Sequence, residues 1–424
     1  MRVLILLVLG LVLLPFSEAV AAELESDPVL ARLAGLGEGE SLVVPGVPLG
    51  GDRLGSVRFE RFALYAPGAE VRVLRDGQLD VLDRSHRVFL IGQPVDVSGV
   101  RVMLAGDHLG TDWRGGVYGS GGFEELRVYS GTDGVRFRSY SQETLTPDGV
   151  SLGSACGNDS LTAFRGDGAM ALPESLAGGA RGGTLRLGVL ALDTDAEWLD
   201  RRFNDNVVAA ATWMEDLLLV TNGLFEVELN LRMLQGHTIL RVGSDPYNLG
   251  GSGANQAALE EFGDYWSSNY SGIARTHAAM VSGRSSAGNS AAGIAWVDSY
   301  CENQSVGGSY SYNQLFWGNF PPSTSASLFA HELGHNLGSP HTHCYNPPVD
   351  QCFNTENGCY SGPTSCPAGG SGTLMSYCHI GACGTSNQFS MAPQVISRID
   401  QRISANFPSC IVENQVLFAD RFEQ

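Results

Sequence analysis

Basic residues are few in this chain of 424: 26 Lys and Arg stand against 45 Asp and Glu, a net charge of −19. A nucleic-acid partner needs a basic face to neutralise phosphates, and so acidic a chain offers little to build one. No nucleic-acid partner is expected, and the surplus charge serves solubility. Long apolar runs are equally scarce. Beyond the first 22 positions no stretch reads as long and apolar enough to cross a bilayer, so no membrane span is expected. Cysteine is nearly absent from the first 300 residues, where Cys156 is the sole example; the other eight lie between Cys301 and Cys410. Glycine is plentiful at 54 residues but follows no period, which excludes collagen-like and solenoid folds.

What remains is a globular composition, with 43% hydrophobic and 17% charged residues and room for two or three domains. Arg2 is followed by an apolar run from Val3 to Phe16 and small residues at Ala19, Ala21 and Ala22. This is the pattern of a secretory signal peptide over residues 1–22, and it predicts a secreted, extracellular protein in which disulfides persist. Residues 23–165 read as short strands with Gly and Asp turns, as in "SVRFERFALY", "AEVRVLRDG" and "VRVMLAG". No catalytic spacing occurs there; His86 and His108 stand alone, and the Arg165–Asp167 "RGD" is a chance match in a Gly-rich stretch.

Residues 166–183, "GDGAMALPESLAGGARGG", have the composition of a flexible linker and processing region, with Arg181 its basic residue. From Thr184 strand-like and helix-like segments alternate: a strand at "TLRLGVLALDTD", a helix from about Asp200 to Val220, a strand at "LFEVELNLRML", a helix at "ANQAALEEFGDYW" and strands at "ARTHAAMVSG" and "AGIAWVDSYC". The alternation predicts an α/β domain over residues 184–413. "APQVISRIDQRI" closes it, with Pro393 opening a helix whose buried stripe is Val395, Ile399 and Ile403. His237 and His277 read as structural, and residues 414–424 form a short tail without an assigned role.

The chemistry is concentrated in "LFAHELGHNLGSPHTHC". A helix from about Pro321 to Gly338 would project His331 and His335, four residues apart, from one face, with Leu333 and Leu337 anchoring the other. Two imidazoles so placed suit Zn2+, Gly338 permits a sharp turn that returns His341 as a third ligand, and Glu332 is positioned to act on water rather than on the metal. His343 and His379 lie close by, with structural or supporting roles expected.

These residues resemble the metzincin metalloproteases, whose signature is H-E-x-x-H-x-x-G-x-x-H. "SGTLMSYC" is similar to that family's methionine turn, which implies Met375 as an apolar floor beneath the ligands. "HELGHNLGSPH" and "GIAWVDSYC" look most like the reprolysin (adamalysin) group, although Thr342 stands where that group usually has Asp after the third histidine. "MSY" looks more like astacins and serralysins, which implies Tyr377 as a transition-state stabiliser; a packing tyrosine is the alternative. The resemblance implies a metzincin-like α/β (α+β) catalytic domain with a twisted sheet and an active-site helix, preceded by a β-rich propeptide. It also implies a zinc-dependent endopeptidase acting on protein or peptide substrates, with one catalytic Zn2+ and Glu332 as general base. "CHIGACGTSNQ" would line the substrate pocket.

Cys301, Cys344, Cys352, Cys359, Cys366, Cys378, Cys383 and Cys410 form an even set, read as disulfides in an exported protein with a zinc cluster as the rival, and their pairing is open. Cys156, followed by Gly157, resembles the cysteine-switch element by which metzincin propeptides fill the open zinc position. A buried thiol, an intermolecular disulfide or a bridge to one of the eight are the alternatives. Calcium is compatible with the acidic surplus, but no EF-hand or RTX-type repeat assigns it a site. A monomer is the default. The competing functions are a zinc-stabilised, non-catalytic binding or adhesion module with a protease-like fold, and a zinc hydrolase acting on something other than peptide.

Overall fold

The computed structural model describes residues 28–107, 112–119, 122–131, 134–141, 156, 170–171, 184–248, 254–284, 292–315, 322–380, 383 and 387–414. The leader, His108, the "RGD", most of the linker 166–183, part of "CHIGACGTSNQ" and residues 415–424 lie outside them.

After helix α1 (Pro28–Ala34), the amino-terminal part is a seven-stranded antiparallel sheet: β1 (Ser41–Pro48), β2 (Leu54–Phe62), β5 (Val88–Pro94), β6 (Arg101–Gly106), β7 (Arg114–Gly119), β8 (Gly122–Gly131) and β9 (Gly134–Ser141), adjacent in that order. The period-two pattern gives it two apolar faces. Val57, Phe59, Leu90, Val102 and Leu104 pack with Leu30 and Leu33 of α1 in one core. Phe62, Phe89, Ile91, Met103, Tyr118 and Phe123 face the other way and join the core of the second part.

That second part is a layered α/β structure. Its parallel strands are β11 (Arg186–Thr194), β12 (Leu231–Val242), β13 (His277–Ser282) and β15 (Tyr310–Gln314), with β14 (Gly293–Ala295) antiparallel at one edge. The strands are buried along nearly their whole length, as parallel strands covered on both faces must be. Helices α2 (Ala196–Phe203), α3 (Val207–Leu229), α4 (Gln256–Asn269), α5 (Pro322–Asn336) and α6 (Pro393–Asn406) cover them. In α6, Pro393 sits in the first turn and Val395, Ile399 and Ile403 are buried.

Three expectations change. The run "LFEVELNLRML" is not one strand, because Leu224–Leu229 complete α3 and the strand starts at Leu231. Burial of Leu224, Phe225 and Leu229 keeps the helix going until Asn230, whose left-handed backbone (φ 49) ends it. Second, α3 does meet the length and composition of a membrane span, with 23 residues and a mean hydropathy of 1.2; 78% of that window is buried inside the protein, where it serves as a core helix. Third, the boundary near residue 166 does not separate the sheets. The hairpin β3 (Val71–Arg75) and β4 (Gln78–Leu82) leaves the first sheet and extends the second, giving the order β14-β15-β13-β11-β12-β3-β4. Thr238–Val242 of β12 pair in parallel with Val71–Arg75. Within the expected linker, β10 (Met170–Ala171) pairs in parallel with β16 (Tyr345–Asn346).

Polar contacts reinforce this joint on α3. Arg87 reaches Glu215 at 3.1 Å and Asp216 at 2.6 Å, with all three side chains nearly out of solvent. Tyr65 donates to Glu215 at 2.6 Å, and Tyr118 to Glu228. Gly223 leaves room for Met103, whose Cε would lie 2.2 Å from a Cβ at that position.

Candidate metal centre

Helix α5 carries the central motif. His331 and His335 project from one face, as their spacing requires, with Leu333 and Leu337 fully buried. After Asn336 the chain turns at Gly338, whose φ of +113° is open to glycine and whose Cβ would meet Arg402 and Asp298. The turn brings His341 back against the helix, its ring centroid 5.4 Å from that of His331 and 4.7 Å from that of His335.

The three rings are tied by their Nδ1 atoms. His331 Nδ1 lies 2.6 Å from the Leu374 carbonyl, His335 Nδ1 2.7 Å from the Ser339 carbonyl, and His341 Nδ1 2.8 Å from Glu356 Oε2. Each Nδ1 therefore bears the proton it donates, and each Nε2 presents a bare lone pair. The Nε2 atoms of His331 and His335 are 3.0 Å apart, and His341 Nε2 is buried with no hydrogen-bond partner among the described residues. Lone pairs brought this close repel unless a cation lies between them, and three imidazole nitrogens suit zinc. Burial, then the neighbouring His341, holds His331 down to about 3, and burial keeps His335 well below the usual histidine range, so both stay neutral as ligands must.

Cys156 completes the set. Its sulfur and one ring nitrogen from each of the three histidines all lie within 4.8 Å of one another, and all four residues are buried. Cys156 is in no disulfide; its thiol lies 3.4 Å from Glu332 Oε2 and its main chain bridges Gly293 of β14. Glu332 is fully buried, and burial pushes its carboxyl up to about 8 against the contrary pull of the Cys156 thiol. A side chain at position 293 would collide with it, since a Cβ there would lie 2.2 Å from Glu332 Oε1. Met375 lies beneath the helix, its sulfur 2.7 Å from where a Cβ on Gly334 would be. Tyr377 donates a hydrogen bond to the Cys156 carbonyl, and its ring lies 4.0 Å from that of His341.

The model of metallo-peptidase family M12 (Reprolysin_5) matches residues 185–396, half of the chain, and spans His331, Glu332, His335, His341, Glu356, Met375 and Tyr377. The chain belongs to that family. Membership implies zinc and a peptide or protein substrate for this M12 peptidase. Among solved structures, metalloproteinase-II from Bacteroides fragilis aligns with 89% of this chain and 96% of its own at 12% identity and a TM-score of 0.38. No curated protein sequence matches the chain.

The eight clustered cysteines of the M12 peptidase form four disulfides: Cys301–Cys410, Cys344–Cys359, Cys352–Cys378 and Cys366–Cys383. They are consistent with an extracellular protein and replace the zinc-cluster alternative. Three of them pin the loops that follow the third histidine. Thr342, standing where an Asp was expected, donates to Ser376 Oγ at 3.0 Å, which donates to Asp350 Oδ2 at 2.7 Å, so a carboxylate reaches this turn from another loop. Sequence reasoning missed Asp350 and Glu356, because neither has a fixed offset from the motif. His343 shares Glu356 with His341, and His379 lies 2.9 Å from the Asn387 side chain with its ring 6.3 Å from that of Tyr377. His237 is half-buried beside Glu70.

Proposed function

We propose that the chain is a secreted zinc endopeptidase made as a latent precursor, with residues 23–165 as its propeptide. His331, His335 and His341 hold the metal, and Cys156 occupies the fourth position until the linker 166–183 is cut. The observation that carries this is the convergence of one ring nitrogen from each of three buried histidines with the Cys156 thiol, all within 4.8 Å. Zinc held there supplies the Lewis acidity that polarises water and the scissile carbonyl.

The remaining chemistry belongs to the side chains. Glu332, adjacent to His331 and facing the thiol, accepts the proton of the attacking water at its carboxylate and returns it to the leaving amine. Tyr377 donates to a main-chain carbonyl at the site, namely that of Cys156, and a substrate carbonyl in the same place would receive the same hydrogen bond as charge develops on its oxygen. Gly293 leaves the β14 edge open beside Glu332, where the Cys156 main chain bridges it and where an extended substrate can pair.

The test is hydrolysis of casein by the processed protein, with and without chelator, beside Glu332→Ala. We expect chelator-sensitive cleavage and a loss of about 10³-fold in Glu332→Ala at unchanged zinc content. An active Glu332→Ala enzyme would sink the assignment of the base. No cleavage by the fully processed, zinc-loaded protein would favour a non-catalytic binding module.

A further inference from the structure

The three histidines are not held alike. His331 and His335 give their Nδ1–H groups to neutral main-chain carbonyls, whereas His341 gives its own to a carboxylate. That carboxylate, Glu356, sits on the loop closed by Cys344–Cys359, which begins directly after the turn carrying His341. Its Oε2 is 2.8 Å from His341 Nδ1 and 2.8 Å from His343 Nε2, and the two rings lie nearly parallel (9°) with centroids 5.5 Å apart. The loop is fixed from both sides. Cys359 N–H donates to the Glu356 carbonyl at 3.2 Å, and Tyr360 N–H donates to the His343 carbonyl at 3.1 Å. Phe353 and Tyr377 pack against the His343 ring at 5.2 and 5.5 Å.

We propose that Glu356 is a positioning residue for the metal, and that His343 is the brace that aims it. Glu356 locks His341 in the tautomer that turns Nε2 toward the other two histidines, and places a negative charge behind one ligand only. His343 holds the shared oxygen from the far side, so the carboxylate cannot rotate away from His341. A charged acceptor behind an imidazole makes it a better donor to a metal and fixes its ring orientation, effects that usually amount to about 10- to 100-fold in metal affinity.

The inference rests on His341 being a zinc ligand, and the experiment separates the two. Zinc dissociation constants are measured by chelator competition on the full-length protein and on Glu356→Gln, Glu356→Ala, His343→Ala and His341→Ala, with thermal melting of each metal-free form and the visible absorption of each cobalt-loaded form. Glu356→Gln keeps the shape and loses the charge, so we expect about tenfold weaker zinc binding, a shifted cobalt spectrum and an unchanged metal-free melting temperature. Glu356→Ala is expected to lose about 100-fold, and His343→Ala less than either. If Glu356→Ala fails to fold, Glu356→Gln decides. Zinc affinity within twofold of wild type in Glu356→Gln, while His341→Ala loses zinc, overturns the role of Glu356 alone. Zinc retained at full affinity by His341→Ala overturns the ligand assignment beneath it.

Discussion

The two parts of this molecule are held together by different means. All four disulfides fall within residues 301–410, around the histidines; none lies among the described residues of the first part and none joins the two parts. The first part relies on strand pairing, an apolar face laid on α3, and charged contacts such as Arg87 with Glu215 and Asp216. Covalent pins keep fixed a site that must hold geometry to fractions of an ångström, while non-covalent contacts would suit a segment that leaves, as the proposed processing requires. The difference is what the proposed precursor would need, with one part kept and the other released.

The joint is where the comparison breaks most visibly. Arg87→Ala leaves Glu215 with only the Tyr65 hydroxyl and Asp216 with only Arg114 in a nearly dry interface, and we expect about 3 kcal/mol less stability in urea unfolding of the uncut protein. A loss under about 1 kcal/mol would mean that the apolar face alone holds the first part. Acid sharpens the contrast from the other side. His277, fully buried in β13, is held down to about 3 by burial, with Arg275 adding to the effect. Its folded value lies below its unfolded one, so the unfolded chain binds the extra proton between about 6.5 and 3, and stability is present above that window and lost as pH falls into it. In the metal-free protein His277 should contribute a loss of about 1.4 kcal/mol per pH unit below 6.5, about 2 kcal/mol by pH 5, on top of that from His331 and His335, and His277→Leu should make the acid slope shallower by that share. Unfolding curves of equal acid slope in both proteins would reject the assignment. The smallest effect is at the thiol. Cys156→Ala in the uncut precursor should raise casein hydrolysis by at least about tenfold, corresponding to about 1.4 kcal/mol of lost inhibitory contact. If the uncut variant stays as silent as wild type, docking of the first part blocks the cleft without the sulfur.

What could be read from the sequence was what local rules govern. The four-residue spacing of His331 and His335, the positive φ at Gly338 and the Pro393 helix start depend on a few neighbouring residues, and each has the predicted local form. The strands before residue 142 were equally legible, because each is a short alternating or apolar run bounded by turn residues. Contacts closed by distant chain were not. Glu356 reaches His341 through a disulfide-pinned loop, the β3–β4 hairpin pairs across more than 150 residues, and α3 absorbs a segment whose apolar run suits strand or helix until burial decides. The pairing of eight cysteines belongs to the same class.

The shared sheet has a consequence for the behaviour of the protein in solution. While residues 71–82 are in place, the main-chain groups of Thr238–Val242 are matched by a neighbouring strand. Taking the first part away turns β12 into a bare rim, a row of unmet donors and acceptors of the kind that draws in foreign strands and seeds aggregates. The hairpin of residues 71–82 is thus also a guard for the colloidal state of the chain. Expression of residues 184–424 alone would begin from that rim, with nothing from the first part to cap it.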